Sequence, residues 1–312
     1  MDRRKAAIII TLGCTLFGFL GVCARYFFAH GLNSFEVSFI RQSLTTLGLF
    51  LILLLTNRKL FSVELKDLVF MIAFGVMKLL SDVTLFYAQD NTTLALSSLL
   101  QMTFPYYVLV LSLFIFHERI TGRKLIAMFV AFLGCMLVTG GFFNTGSSNV
   151  MGILSALFSG LCFGLYLIGN SIYVGKGKDP ASYVFYCFLV STLVSLPLID
   201  IGRTVTEMFS FDGIGYTLIF SLALTLIPMF LMAWSARFVE ATTISVINMV
   251  EIVAAALVGF VFFGESLSAS NILGMILVMS SVVILNIRIK EGAKRYMKEH
   301  GIKNPRQIES KT

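Results

Sequence analysis

Four charged side chains lie well inside otherwise apolar stretches of this 312-residue chain, Arg41, Lys78, Asp82 and Glu251, while a fifth, Arg25, is close enough to the outer end of its helix to snorkel. A charge in a bilayer core costs several kcal/mol unless it is paired or hydrated, so each of the four needs a partner or a wet cavity. Lys78 and Asp82 are four residues apart and share one face of a helix. Counted at about 1.5 Å per helical residue, Arg41 and Asp82 fall at one level and Lys78 and Glu251 fall near the middle of their spans. Arg41 and Asp82 are therefore read as an intramembrane charge pair. Lys78 and Glu251 are either a second structural pair or groups that face a cavity. In a cavity, Lys78 would attract a carboxylate, and Glu251 would receive an ammonium or exchange a proton.

Uncharged polar residues add to this pattern. Thr93, Ser97 and Gln101 recur every four residues, and Ser245, Asn248 and Glu251 every three, so each set lies along one helix face. Tyr106, Tyr107 and Tyr166 can supply aromatic walls. The candidate binding set is Lys78, Gln101, Tyr107, Tyr166, Asn248 and Glu251. Enzyme chemistry has little to work with. His117-Glu118 lacks the second His of a metalloprotease helix, and no Gly-x-Ser-x-Gly elbow occurs. Gly169 to Lys176 resembles a phosphate loop, but five residues separate its glycines and Gly177 replaces the Ser or Thr. The five Cys, at 14, 23, 135, 162 and 187, have no metal-ligand spacing and read as small packing residues. No cofactor is expected, and a membrane-embedded lipid-modifying enzyme is the alternative outside transport.

The elements that must position these groups are long apolar helices. The chain is 57% hydrophobic and 13% charged, with mean hydropathy +0.88. Soluble domains carry about 25% charged residues, so this chain cannot cover a water-facing surface and its solvent is a lipid bilayer. A spanning helix needs roughly 20 apolar residues. Ten blocks qualify, near 6–28, 34–55, 68–88, 92–116, 122–141, 151–173, 181–200, 213–235, 241–263 and 270–288. Runs such as Leu47 to Leu55 lack the alternation of a β-barrel strand. The first block is too long for a signal-peptide core and has no clear cleavage site, so it is read as the first span.

Basic residues orient the spans. With the N-terminus inside, twenty Lys and Arg fall in cytoplasmic segments and one, Arg203, falls outside. That bias predicts an even number of spans, a cell-membrane location and both termini in the cytoplasm. It also accounts for the net charge of +7 without nucleic acid. The tail over 289–312 reads as a basic segment near anionic lipid.

The halves repeat. At an offset of 147, Ser98 meets Ser245, Met102 meets Met249 and Glu118 meets Glu265; at 146, Phe17-Gly18 meets Phe163-Gly164. Each half holds five spans, an odd number, so the second half is inverted relative to the first. The expected architecture is an all-α integral membrane protein with ten transmembrane helices in two inverted five-helix repeats, over 1–141 and 151–288. The segment 142–150 is an external linker. Gly160 and Gly164 form a small-residue face, read as packing within the bundle, with a homodimer seam as the alternative.

These features resemble the EamA type of the drug/metabolite transporter superfamily. Its members end the fourth span of each repeat with Pro, small and apolar residues, Gly-Glu and a polar turn. Here Pro105-Tyr106-Tyr107 leads to His117-Glu118-Arg119-Ile120-Thr121, and Val250-Glu251-Ile252-Val253-Ala254-Ala255-Ala256 leads to Gly264-Glu265-Ser266-Leu267-Ser268. His117 stands where Gly is usual, and Ile252 where Pro is usual, which removes the residue that would kink the ninth span. The resemblance implies a permease for small metabolites such as amino acids and related zwitterions, working by efflux or exchange, with a central cavity. A proton-coupled multidrug exporter is the alternative within transport. A small-molecule substrate and a coupling proton are the implied partners.

Overall fold

A computed structural model describes residues 3–92, 94–116, 121–139, 149–263 and 267–299. Among them the chain forms ten membrane helices. These are α1 (Arg3–Phe17 and Leu20–Ala29), α2 (Ser34–Thr56), α3 (Leu65–Asn91), α4 (Leu94–Gln101 and Phe104–Ile115) and α5 (Gly122–Val138). The second half holds α6 (Val150–Gly175), α7 (Pro180–Ser195), α8 (Gly213–Leu218, Ile219–Leu226 and Ile227–Ser235), α9 (Ala241–Asn248 and Val250–Phe263) and α10 (Ala269–Glu299). Eight of these are long and apolar enough to cross a membrane; α5 and the apolar part of α10, Ala269–Ile284, are shorter. A short helix, Ile201–Met208, joins α7 to α8. The external linker and the turns that carry Glu118 and Glu265 lie outside the described residues.

The two halves interlock around a pseudo-two-fold axis. Helix α6 packs against α3 and α4, and α1 packs in the same way against α8 and α9. Helices α2 and α7 meet each other, as do α5 and α10. Hydrogen bonds repeat across the axis. Thr45 donates to the Ser221 carbonyl at 2.8 Å, and Ser191 donates to the Gly75 carbonyl at 2.7 Å. Residues 45 and 191, like 75 and 221, are 146 apart, and Thr46 and Thr192, also 146 apart, pair directly at 3.1 Å. At the α5–α10 crossing a Cβ on Gly134 would sit 2.7 Å from the Gly274 carbonyl, so only glycine permits that approach.

Three helices are interrupted where they meet the centre. In α4 the break falls at Met102 and Thr103, just before Pro105, whose missing N–H and bulky ring deny the Gln101 carbonyl its helical partner. Helix α9 breaks at the equivalent Met249 although no proline is present. Tight i to i+3 bonds, Met249 N–H to Val246 and Ile252 N–H to Met249, make that turn. The absence of Pro at 252 therefore does not straighten the ninth span. Helix α1 breaks at Gly18 and Phe19, where a Cβ on Gly18 would lie 2.6 Å from the Ala255 backbone nitrogen of α9.

Candidate functional site

A cavity of about 320 Å³ lies between α1, α2, α3, α4 and α9. Phe17, Leu20, Leu85, Phe86, Ile252 and Val258 make most of its wall apolar. Its charged lining residues are Arg41, Glu251 and Arg25, joined by Ser98, Gln89 and Gln101. Glu251 begins the second half of α9, directly after the break, and is half-buried. Gln101 ends the first half of α4 and donates to the Ser159 hydroxyl of α6 at 3.1 Å. The cavity runs from these breaks toward the end of the bundle that holds the α1–α2 turn, where Arg25 is exposed.

Behind the Arg41 wall is a buried charge cluster. Asp82 of α3 takes Arg41 Nη1 at 3.3 Å, Lys78 Nζ at 2.5 Å and Gln42 Nε2 at 2.9 Å. Arg41 and Asp82 are each 3% exposed and Lys78 is wholly buried, so one carboxylate is shared by two cations out of water. The ammonium of Lys78 also rests over the Phe188 ring, 4.9 Å from its centroid. Arg41 Nε donates to Thr225 Oγ1 of α8 at 3.0 Å.

The structure thus redistributes the residues proposed from sequence. Arg41, Gln101 and Glu251 face one cavity. Lys78 does not: its four-residue spacing to Asp82 brings the two together, and the ammonium is spent there rather than on Glu251 or on the lining. Asn248 is buried beneath the cavity, its amide nitrogen 3.4 Å from Glu251 Oε2 and its oxygen accepting from Cys14 Sγ at 3.2 Å. Tyr166 is buried in an aromatic stack with Phe163 and Tyr183, and Tyr107 lies on α4 against Gly164 of α6; neither lines the cavity. Gln89 and Thr225 were not singled out from the sequence, and Ser98 was noted there only as the repeat counterpart of Ser245. Pro228, three residues after Thr225, is the local sign that α8 is irregular there. Gly160 packs α6 onto the α4 break, 2.7 Å from the Gln101 carbonyl when a Cβ is added.

The end of the bundle opposite the cavity is held by ion pairs between loops and the first turns of α3 and α5. Lys124 meets Glu240 at 2.6 Å, Arg237 meets Asp179 at 2.9 Å, and Lys178 pairs with Asp67. Two of the three join one repeat to the other.

The model of the EamA-like transporter family matches residues 4–140 and 150–287. The chain belongs to that family. The paired match coincides with the two mirrored halves of the fold, so the protein is a multi-pass membrane transporter. Relatives agree with this assignment. The pseudopaline exporter CntI of Pseudomonas aeruginosa is 27% identical over 82% of this chain and 87% of its own length. An uncharacterized transporter of Archaeoglobus fulgidus is 24% identical over 69% and 75%. A GDP-mannose transporter of Coccidioides immitis is 24% identical over 51% and 45%. A solved structure shares the fold with a TM-score of 0.73, at 12% identity, over 92% of this chain and 98% of the other.

Proposed function

We propose that this EamA-family transporter moves small zwitterionic metabolites, amino acids or close relatives, by efflux or exchange across the cell membrane. The observation that carries this reading is the placement of Arg41 and Glu251 on the walls of one cavity whose lining is mostly apolar, with Arg25 toward its α1–α2 end. A guanidinium suits a ligand carboxylate, and a carboxylate suits a ligand ammonium. Gln101 and Ser98 supply neutral donors and acceptors between them. A volume of about 320 Å³ is at the small end for ligand pockets, in keeping with a metabolite. Arg41 in the lining disfavours the lipophilic cations that a multidrug exporter would carry. That one relative is named an exporter of pseudopaline supports the outward direction.

In this reading both termini are cytoplasmic, as the basic residues indicate, and the cavity faces outward while the three ion pairs close the inner end. Transport requires those pairs to open as the outer cavity closes. Arg41 is the carboxylate-binding group, a role that sequence spacing had suggested for Lys78. The decisive test is counterflow. Proteoliposomes loaded with a mixture of the twenty L-amino acids are diluted into each radiolabelled amino acid in turn. Transient accumulation of at least one, lost in Glu251→Gln, is the expected result. No accumulation of any amino acid removes the substrate assignment while leaving the family intact.

A further inference from the structure

We propose that the π-helical stretch of α8, Ile219–Leu226, is a positioning device for Arg41, and that Thr225 within it is a positioning residue for recognition of an anionic group in the cavity. The proposal rests on the reading of Arg41 as the anion-binding side chain. Thr225 Oγ1 donates to the Phe220 carbonyl five residues back at 2.7 Å, the spacing of a π-turn. A hydroxyl has one proton to give. With that proton committed to Phe220, the oxygen meets Arg41 Nε as an acceptor, at 3.0 Å.

In a regular α-helix the Thr225 hydroxyl would bond the carbonyl four residues back, that of Ser221. Here the Thr45 hydroxyl of α2 lies between the Arg41 carbonyl of its own helix, at 2.7 Å, and that Ser221 carbonyl, at 2.8 Å, and Ser221 Oγ in turn donates to the Ile40 carbonyl at 3.0 Å. The residues on either side of Arg41 are therefore tied to the same irregular stretch that supports its side chain. The mirrored helix α3 is regular from Leu65 to Asn91 and keeps the equivalent bond, Ser191 to the Gly75 carbonyl. Past that point the halves diverge. Helix α3 sets Lys78 over Phe188, whereas α8 sets Thr225 against Arg41.

The guanidinium is consequently held at two of its three nitrogens, Nε by Thr225 and Nη1 by Asp82. Nη2 has no hydrogen-bond partner among the described residues, on a side chain that lines the cavity. A fixed guanidinium with one nitrogen uncommitted can meet a carboxylate in a single geometry, which is how orientation becomes affinity.

The experiment uses the full chain purified in detergent, with ligand-induced thermal stabilisation as the readout. L-leucine is the probe for the apolar wall, and L-leucinamide is the same molecule without the carboxylate. Wild type, Arg41→Gln, Thr225→Val and Thr225→Ser are titrated with both. Thr225→Val is expected to weaken L-leucine about tenfold, as for loss of one hydrogen bond to a charged group. L-leucinamide binding should not change, and Thr225→Ser should bind as wild type does. If Thr225→Val does not fold, Thr225→Ala removes the hydroxyl without new bulk and carries the same expectation. Equal losses for the two probes, no loss, or failure of Ser to rescue would overturn the proposal. Loss of the carboxylate preference in Arg41→Gln but not in Thr225→Val overturns this inference alone. An unchanged preference in Arg41→Gln, or a wild type that L-leucine does not stabilise, overturns the reading of the cavity and this inference with it.

Discussion

Helices α4 and α9 occupy equivalent places in the two repeats and break at equivalent residues, Met102 and Met249, yet their next turns differ. After the α4 break come Phe104 and Pro105. Phe104 is wholly buried, edge-on to Phe163 with ring centroids 5.0 Å apart. After the α9 break the residue at the position of Phe104 is Glu251, half-buried at the cavity. The residues before the breaks differ in the same sense. Gln101 bonds across to Ser159 of α6, while Asn248 reaches Cys14 of α1 and lies beside Glu251. The backbone is duplicated but the polarity is not. One break places a buried aromatic ring after its turn and the other a carboxylate at the cavity, while Gln101 before the first break lines the same cavity, so the two-fold symmetry of the backbone is not matched in polarity.

The largest effect should come from the charge cluster that backs the cavity in the first repeat only. Asp82→Asn leaves Arg41 and Lys78 buried without a counter-charge and should cost ~3–5 kcal/mol of stability. It will be read as loss of monodisperse protein or a large fall in Tm. Replacing Lys78 with Met and Asp82 with Leu together should recover part of that loss, since only Arg41, not both cations, is then left without a counter-charge. A double variant no better than Asp82→Asn would show that Lys78 and Asp82 are not coupled.

Next comes the contrast between the breaks themselves. Glu251→Gln keeps shape and removes charge, and should weaken the substrate found by counterflow by ~10- to 100-fold, the worth of a charged hydrogen bond. Phe104→Leu, at the mirrored position, should lower stability by less than ~1.5 kcal/mol and leave affinity alone. Similar affinity losses in the two variants would mean that the breaks are functionally alike. Loss of pH-gradient-driven accumulation with exchange intact would instead make Glu251 a proton carrier.

Smaller effects should separate Gly18 from its counterpart Gly164. A Cβ on Gly18 would press on the α9 backbone at 2.6 Å, whereas on Gly164 its nearest neighbours are 3.4 Å away. Gly18→Ala should cost ~1–3 kcal/mol through overpacking. Gly164→Ala should be close to neutral, because alanine favours the helix by ~0.5–1 kcal/mol. Thermal unfolding of the pair checks the order.

The smallest stability change belongs to the far end. The Lys124–Glu240 pair is partly exposed, so Glu240→Gln should change stability by less than ~1 kcal/mol. Its expected signature is conformational: easier opening of that end, read as faster labelling of a cysteine introduced beside it. Unchanged labelling would show that the pair does not hold the end closed.

The helices, their number and their duplication were legible in the sequence because lipid imposes a crude and local requirement. About 20 apolar residues must occur together wherever the chain crosses, and hydrogen bonds repeated at 146 residues follow from the same duplication. The need for partners at Arg41, Lys78, Asp82 and Glu251 was equally legible, since a charge in hydrocarbon is conspicuous whatever surrounds it. Which partner each takes was a matter of tertiary structure. Depth along a helix can be counted from sequence, but the angle at which helices face one another depends on packing. That is why Arg41 of α2 came to meet Asp82 and line the cavity, and why Glu251, level with Lys78, did not pair with it; the Lys78–Asp82 pair itself is local to one helix. The breaks divided in the same manner. Pro105 announced one of them, because its chemistry forbids a helical bond. The break at Met249 has no such residue; it shows only in the folded chain, where Cys14 Sγ of α1 bonds Asn248 Oδ1 just before it at 3.2 Å and tight i to i+3 bonds make the turn.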